Sequence, residues 1–165
     1  MDNAAQLIKD AFTQYRTTLP PEAWQTWFEY MMDIRGRLID SQLIVAESEG
    51  RLAGTVTLYL KCSLQSHERW PEGWAGIRLL AVHPDFRSRG IGRTLIEECI
   101  RRSRNNGNIA VALHTSEIMA AARRIYEKMG FIRVPEFDFS LGTGTLVTSY
   151  RMDLKPESRT KTHGS

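Results

Sequence analysis

The stretch Val82-His83-Pro84-Asp85-Phe86-Arg87-Ser88-Arg89-Gly90-Ile91-Gly92-Arg93 decides how this chain is read. It closes a nearly continuous apolar run, Ile77 to Val82, of the kind found in strands buried on both faces. His83-Pro84 stops that strand, because proline brings no N–H to a ladder. A helix follows from about Ile91 to Asn105, with Leu95, Ile96, Cys99 and Ile100 on its inner side. Two glycines thus stand where a buried strand turns into a helix. Helix N-termini carry unpaired N–H groups and a partial positive charge. Glycine lets a ligand approach those amides closely, and Arg87, Arg89 and Arg93 add formal charge. Together these suit a pyrophosphate. The same residues also read as a tight turn with solvated arginines. Neither the Walker pattern nor the dinucleotide Gly-x-Gly-x-x-Gly fits: there is no Gly-Lys-Ser/Thr, and Leu95 occupies the third glycine's place.

Outward from this segment, Asn106-Gly107 ends the helix and Ile109 to Leu113 reads as another buried strand. Strand, helix and strand make a βαβ unit, whose right-handed crossover sets the two strands parallel. Upstream, residues 4–18 repeat Leu7, Ile8, Ala11, Phe12 and Tyr15 at helical spacing, until Leu19-Pro20-Pro21 breaks the pattern. A second helix, about 21–35, carries Trp24, Trp27, Phe28, Met31 and Met32, which read as core packing or as the wall of a ligand pocket. Residues 42–47 and 52–60 read as an antiparallel hairpin around Glu49-Gly50, and 61–75 as a loop holding Trp70 and Trp74. Downstream, a helix over 117–129 is closed by Gly130. Phe131 to Phe139 and Leu146 to Leu154 then form two strands around Gly142-Thr143-Gly144.

The 165 residues fit one domain by the usual measure of about 150 per domain. We take it as residues 1–154, followed by a polar tail, 155–165, that reads as disordered. At 42% hydrophobic and 25% charged the composition is that of a globular protein, which argues against a disordered chain or a coiled-coil rod. No apolar run approaches the roughly 20 residues that cross a bilayer, and Met1-Asp2-Asn3 opens no secretory signal, so neither a membrane nor export is expected. The net charge is +3, most of it in the tail, so no nucleic-acid face is expected; Arg101, Arg102 and Arg104 read as the solvated side of a helix. Cys62 and Cys99 match no paired ligand spacing, so no metal is expected, and a reducing cytoplasm is the simplest compartment.

Arg87-x-x-Gly90-x-Gly92 after the strand Leu79-Leu80-Ala81-Val82 resembles the acetyl-CoA signature of the GNAT family of N-acetyltransferases. A second match lies about 30 residues on: Ala122-Arg123-Arg124-Ile125-Tyr126-Glu127-Lys128-Met129-Gly130-Phe131 is similar to that family's closing Ala-x-x-Leu-Tyr-Glu-Lys-x-Gly-Phe stretch. The resemblance covers about residues 4–154 and implies an α/β (α+β) fold. Its mixed, mostly antiparallel sheet would be splayed at two central parallel strands and flanked by about four helices. It implies acetyl-CoA as co-substrate, in the V between those strands. Leu80, Ala81 and Val82 would pair with the pantetheine arm, and Ser88, Arg89, Gly90, Ile91, Gly92 and Arg93 would cradle the pyrophosphate, beside Arg87. The Val82 N–H would polarise the thioester carbonyl, and Tyr126 would protonate the departing thiolate.

The match has gaps. Met119 stands where the family commonly has an asparagine, and no carboxylate lies near Gly76, where some relatives carry a base. Glu72 is the nearest carboxylate, and His114, on the second parallel strand, is the other candidate base. The strand that usually precedes the first helix is also missing. The reading is a cytoplasmic N-acetyltransferase in which an amine, on a small molecule or a peptide, attacks the thioester directly in a ternary complex. The resemblance also suggests a homodimer. The rival is an acyl-CoA-binding sensor without turnover.

Overall fold

The computed structural model of the chain describes residues 2–13, 16–17, 20–61, 70–116, 119–140 and 146–154. Cys62, His67, the glycines of 142–144 and the tail 155–165 lie outside them.

Two helices, α1 (Asp2–Phe12) and α2 (Pro21–Met32), lead into a one-turn α3 (Ile34–Arg37). The expected second helix of 21–35 is interrupted at Asp33, whose side chain accepts the Gly36 N–H at 3.1 Å and starts a new turn. The strands β1 (Gln42–Ser48) and β2 (Arg51–Tyr59) form the expected hairpin. Strand β3 (Trp74–Val82) begins three residues earlier than its apolar run suggests. Helix α4 (Ile91–Asn105), strand β4 (Ala110–Ser116) and helix α5 (Ala120–Met129) complete the crossover and the second motif. Instead of one strand over 131–139 there are two short ones, β5 (Ile132–Arg133) and β6 (Phe139–Ser140), separated by a 3-10 turn at Pro135–Phe137. Pro135 has no N–H for the ladder, which explains the break. Both short strands pair with the last strand, β7 (Leu146–Asp153).

The sheet order is β1-β2-β3-β4-β7-β5, with β6 also on β7. Among the described residues every pairing is antiparallel except β3 with β4. This is the mixed, mostly antiparallel sheet with a central parallel pair that the resemblance implies.

The two faces bury different helices. On one, α4 and α5 contribute Leu95, Ile96, Cys99, Ile100 and Tyr126 to a cluster with Val56, Leu58, Ile77, Val111, Leu113 and Tyr150. On the other, α1 and α2 contribute Leu7, Ile8, Ala11, Phe12 and Met31, packed on Ala81. Trp24, Trp27 and Phe28 are partly buried against this second cluster, with the Trp27 and Phe12 rings 5.1 Å apart edge to face. They pack against the core and keep part of each ring exposed. Burying one Ile or Leu side chain is worth about 1.5–3 kcal/mol, so both faces need their helices.

Gly54 sets how closely α4 lies on β2. A Cβ there would stand 2.9 Å from both Ile91 Cγ2 and Leu95 Cδ1 and 3.1 Å from the Ala81 carbonyl. Gly54→Ala is expected to destabilise the fold by about 1–3 kcal/mol, as overpacking does. A urea unfolding midpoint equal to the wild type's would contradict this.

Candidate active site

Strands β3 and β4 pair only from Trp74/Ala110 to Ile77/Leu113. Beyond that pair the ladder stops, although β3 continues to Val82 and β4 to Ser116. The parallel strands thus part toward their C-terminal ends. A bulge in β3 sits beside the opening: Leu79 and Leu80 lie between Arg78, opposite Thr57, and Ala81, opposite Thr55. Two residues of β3 therefore face the single Val56 of β2. Leu79 has φ +53°, an outlier for a leucine, of the strained kind that concentrates at functional sites.

The bulge is followed by regular pairing, which fixes where the amides point. His83 N–H donates to the Ala53 carbonyl at 2.8 Å, on the β2 side. Peptide groups alternate along an extended strand, so the Val82 N–H points the other way, toward the opening.

Past His83, a 3-10 turn (Pro84–Phe86) leads to the glycine loop. Phe86 is fully buried and pins this turn. Ser88 and Gly90 both have left-handed backbone, φ +63° and +77°. Gly90 caps α4, and a Cβ on it would meet nothing within 4 Å. The first intrahelical bond of α4 runs from Thr94 N–H to the Gly90 carbonyl, at 3.0 Å. The amides of Ile91, Gly92 and Arg93 precede it and so have no partner within the helix. An anionic group fits this cradle: it offers amides, a favourable helix dipole and a glycine that leaves room.

Gly92 is buried and joins three elements. A Cβ there would lie 3.3 Å from Ile125 Cδ1, 3.6 Å from Val82 Cγ2 and 3.7 Å from Leu80 Cδ2. The end of β3, the start of α4 and the helix of Tyr126 therefore meet at one glycine. Arg89 pairs with Glu49 at 3.3 Å and Arg93 with Glu97 at 3.0 Å. Arg87 is exposed.

Tyr126 is buried on α5, its ring 5.8 Å from that of Phe131. The Phe131 N–H closes the helix on the Tyr126 carbonyl at 3.0 Å, and Gly130 takes φ +97° between them. The neighbouring Glu127 accepts the Tyr150 hydroxyl at 3.0 Å, which ties α5 to β7. Met119 precedes the helix and gives it no side-chain cap.

His114 is the first residue of β4 past the last pair with β3. Val111 and Leu113 belong to the α4–α5 cluster, so alternation puts His114 on the opposite face from Tyr126. Its ring stacks on Trp70 at 4.4 Å and meets Phe139 edge-on at 5.1 Å. Trp74 and Phe137 extend the cluster. Its Nε2 lies 3.3 Å from the Phe137 carbonyl, an acceptor only. The carbonyl can only accept, so Nε2 is the donor in this contact. Glu72 is exposed in the turn before β3, at the closed end of the parallel pair. The ring cluster, the bulge at Leu79 and the link from Arg89 to Glu49 were not in the sequence reading. Only Trp70 and Trp74 hinted at the first of them.

Elsewhere, Cys99 is fully buried and its thiol is pushed up to about 12, mainly by burial, so it is no nucleophile. Glu98 accepts from both Arg101 and Arg102, which hold its carboxyl down at about 2, and Arg102 also reaches Gln42. Among the described residues no group of three or more His, Cys, Asp or Glu could hold a metal ion, and no helix is long and apolar enough to cross a membrane.

Residues 2–131 match the family model described as the acetyltransferase (GNAT) family. The ribosomal protein bS18-alanine N-acetyltransferase of Salmonella typhimurium is 40% identical over 52 residues, 32% of this chain and 35% of that protein. The chain spans only about a third to a half of the curated relatives it matches. Among solved structures, PaiA N-acetyltransferase from Thermoplasma acidophilum, in complex with coenzyme A, superposes with a TM-score of 0.70 at 14% identity, covering 92% of each chain. A GNAT family acetyltransferase from Elizabethkingia anophelis, with acetyl-CoA bound, gives 0.56 at 20% identity, covering 73% of this chain and 81% of that one. At these identities the likeness is one of fold.

Proposed function

The chain belongs to the acetyltransferase (GNAT) family, and from that membership we propose that it is an acetyl-CoA-dependent N-acetyltransferase acting on a primary amine. One observation carries the reading: the parallel strands part after Ile77/Leu113, and β3 ends at an amide cradle with a left-handed glycine. When bound, acetyl-CoA supplies an acetyl thioester. Leu80, Ala81 and Val82 would hold its pantetheine arm along the open edge of β3. Residues Ser88 to Arg93 would hold its pyrophosphate, with Arg87 alongside.

The residues then divide the work across the sheet. The Val82 N–H stabilises the carbonyl oxygen as the amine adds and negative charge develops. Tyr126, on the α5 side, gives its phenolic proton to the sulfur as the C–S bond breaks. His114, on the other face, takes the proton that the attacking amine loses, directly or through water. Glu72 is too far from the opening for that part. The acceptor would enter from the His114 face, and both a small amine and a peptide N-terminus suit this scheme. A reducing compartment such as the cytoplasm suits the free thiol of Cys99.

A second reading, an acyl-CoA sensor without turnover, rests on Met119 and on the lack of a carboxylate at the buried Gly76. Calorimetric titration with acetyl-CoA, followed by thiol release with a panel of amines, separates the two. We expect saturable binding and amine-dependent thiol release. Binding without release from any amine would favour the sensor, and no binding would overturn both.

A further inference from the structure

The turn between β1 and β2 grips the glycine loop through exchanged charges and one ring. Glu49 of the turn reaches Arg89 of the loop at 3.3 Å, and Arg51, the first residue of β2, reaches Asp85 at 3.2 Å. The hairpin thus gives an anion to the loop's cation and a cation to the loop's anion. Both guanidiniums also stand over the buried Phe86 ring, Arg51 at 5.0 Å and Arg89 at 5.2 Å. Asp85 is held in turn by His83, whose Nδ1 accepts the Asp85 N–H at 3.1 Å.

Stability alone does not account for Glu49. Its carboxylate and the Arg89 guanidinium are 69% and 50% exposed, and exposed pairs contribute little. Its backbone is also unfavourable. Ser48 pairs with Arg51, so Glu49-Gly50 is a two-residue hairpin turn, with φ +54° and +73°. Such turns favour Asn, Asp or Gly at the first position, and a residue with a longer side chain is strained there. A glutamate thus sits where conformation disfavours it, and its charge meets the arginine next to the left-handed cap of α4.

We propose that Glu49 restrains cofactor binding: its carboxylate pairs with the Arg89 guanidinium and competes for it with the incoming pyrophosphate. The inference rests on the cofactor reading above. The amides and dipole at the first turn of α4 hold a phosphate by themselves, and the Arg89 cation adds to them once it leaves Glu49. Glu49 therefore lowers the affinity, and Glu49→Gln binds more tightly.

The test is calorimetric titration of coenzyme A into the wild type, Glu49→Gln, Arg89→Gln and the double variant, with pantetheine as the ligand that lacks phosphate. Glu49→Gln should bind coenzyme A about two- to fivefold more tightly at low salt. The gain should fade near 1 M salt, where screening acts within about 3 Å. It should vanish in the Arg89→Gln background and with pantetheine. Unchanged or weaker binding in Glu49→Gln would overturn the proposal, and so would an equal gain without Arg89 or with pantetheine. A wild type that binds no coenzyme A would instead overturn the cofactor reading itself.

Discussion

Replacing Gly90 by glutamate is expected to abolish coenzyme A binding while leaving the protein folded. The residue has φ +77° and caps α4 directly in front of the amides of Ile91, Gly92 and Arg93. Because a Cβ there meets nothing within 4 Å, the added side chain disturbs no packing. The left-handed backbone costs a residue with a Cβ roughly 1–2 kcal/mol. A carboxylate at a helix N-terminus recovers about 0.3–1 kcal/mol of that. Against the ligand the effects add. The carboxylate competes for the same amides and repels the pyrophosphate, and each charge-assisted hydrogen bond lost is worth about 1.5–3 kcal/mol. Two such bonds alone amount to a loss of more than about 100-fold. Gly90→Ala separates the causes: it carries the same backbone strain without the charge, so it should lose stability and keep most of its affinity. Calorimetric titration beside a urea unfolding curve checks both variants. Gly90→Glu binding as well as wild type would mean that the cofactor phosphates lie elsewhere.

That prediction was within reach of the sequence because its determinants are local. A buried apolar run, a proline and two glycines ahead of an amphipathic helix dictate strand, turn and N-terminus within a dozen residues. The same holds for α5, where Tyr126, Gly130 and Phe131 specify a helix end by themselves. The features that escaped are those set by partners far away in the chain. Leucine carries no signal for φ +53°, so the bulge at Leu79 emerges only once β3 is laid against Val56 of β2. The partner of Arg89 is 40 residues distant, in a turn whose Glu-Gly pair signals a left-handed residue only at the glycine. His114 was visible as a candidate, but the rings that hold it come from β3, from the residues ahead of it, and from the segment 137–139. Residue type also misled where one residue overrode a pattern. Pro135 split an apolar run that otherwise reads as a strand, and Asp33 began a new helix inside a helical repeat.

Tyr126→Phe is expected to lower kcat by about 100-fold or more and to leave the affinity for acetyl-CoA unchanged, the lower end of what a general acid contributes. The ring stays against Phe131, so only the hydroxyl is lost, at about 1 kcal/mol of stability. The low end is the reasonable choice on acidity grounds. A phenol near 10 is a weaker acid than a thiol near 8.5, so full transfer in water is uphill by roughly 2 kcal/mol. Burial disfavours a thiolate and a phenolate alike: it pushes the Cys99 thiol on the α4–α5 face up to about 12, and Tyr126 is itself buried, so the transfer stays uphill. A leaving sulfur partly enclosed by that face would draw the Tyr126 proton as its charge forms, while the amine's proton leaves on the other face toward His114. The two losses should therefore be separable. His114→Gln should also lower kcat without changing acetyl-CoA binding, but its defect should depend on the amine, whereas that of Tyr126→Phe should be the same for every amine. Single-turnover thiol release with two amines of different basicity measures both. Full turnover by Tyr126→Phe under conditions where chemistry limits the rate would remove the phenol from the mechanism. The proton for sulfur would then have to come from water entering between β3 and β4.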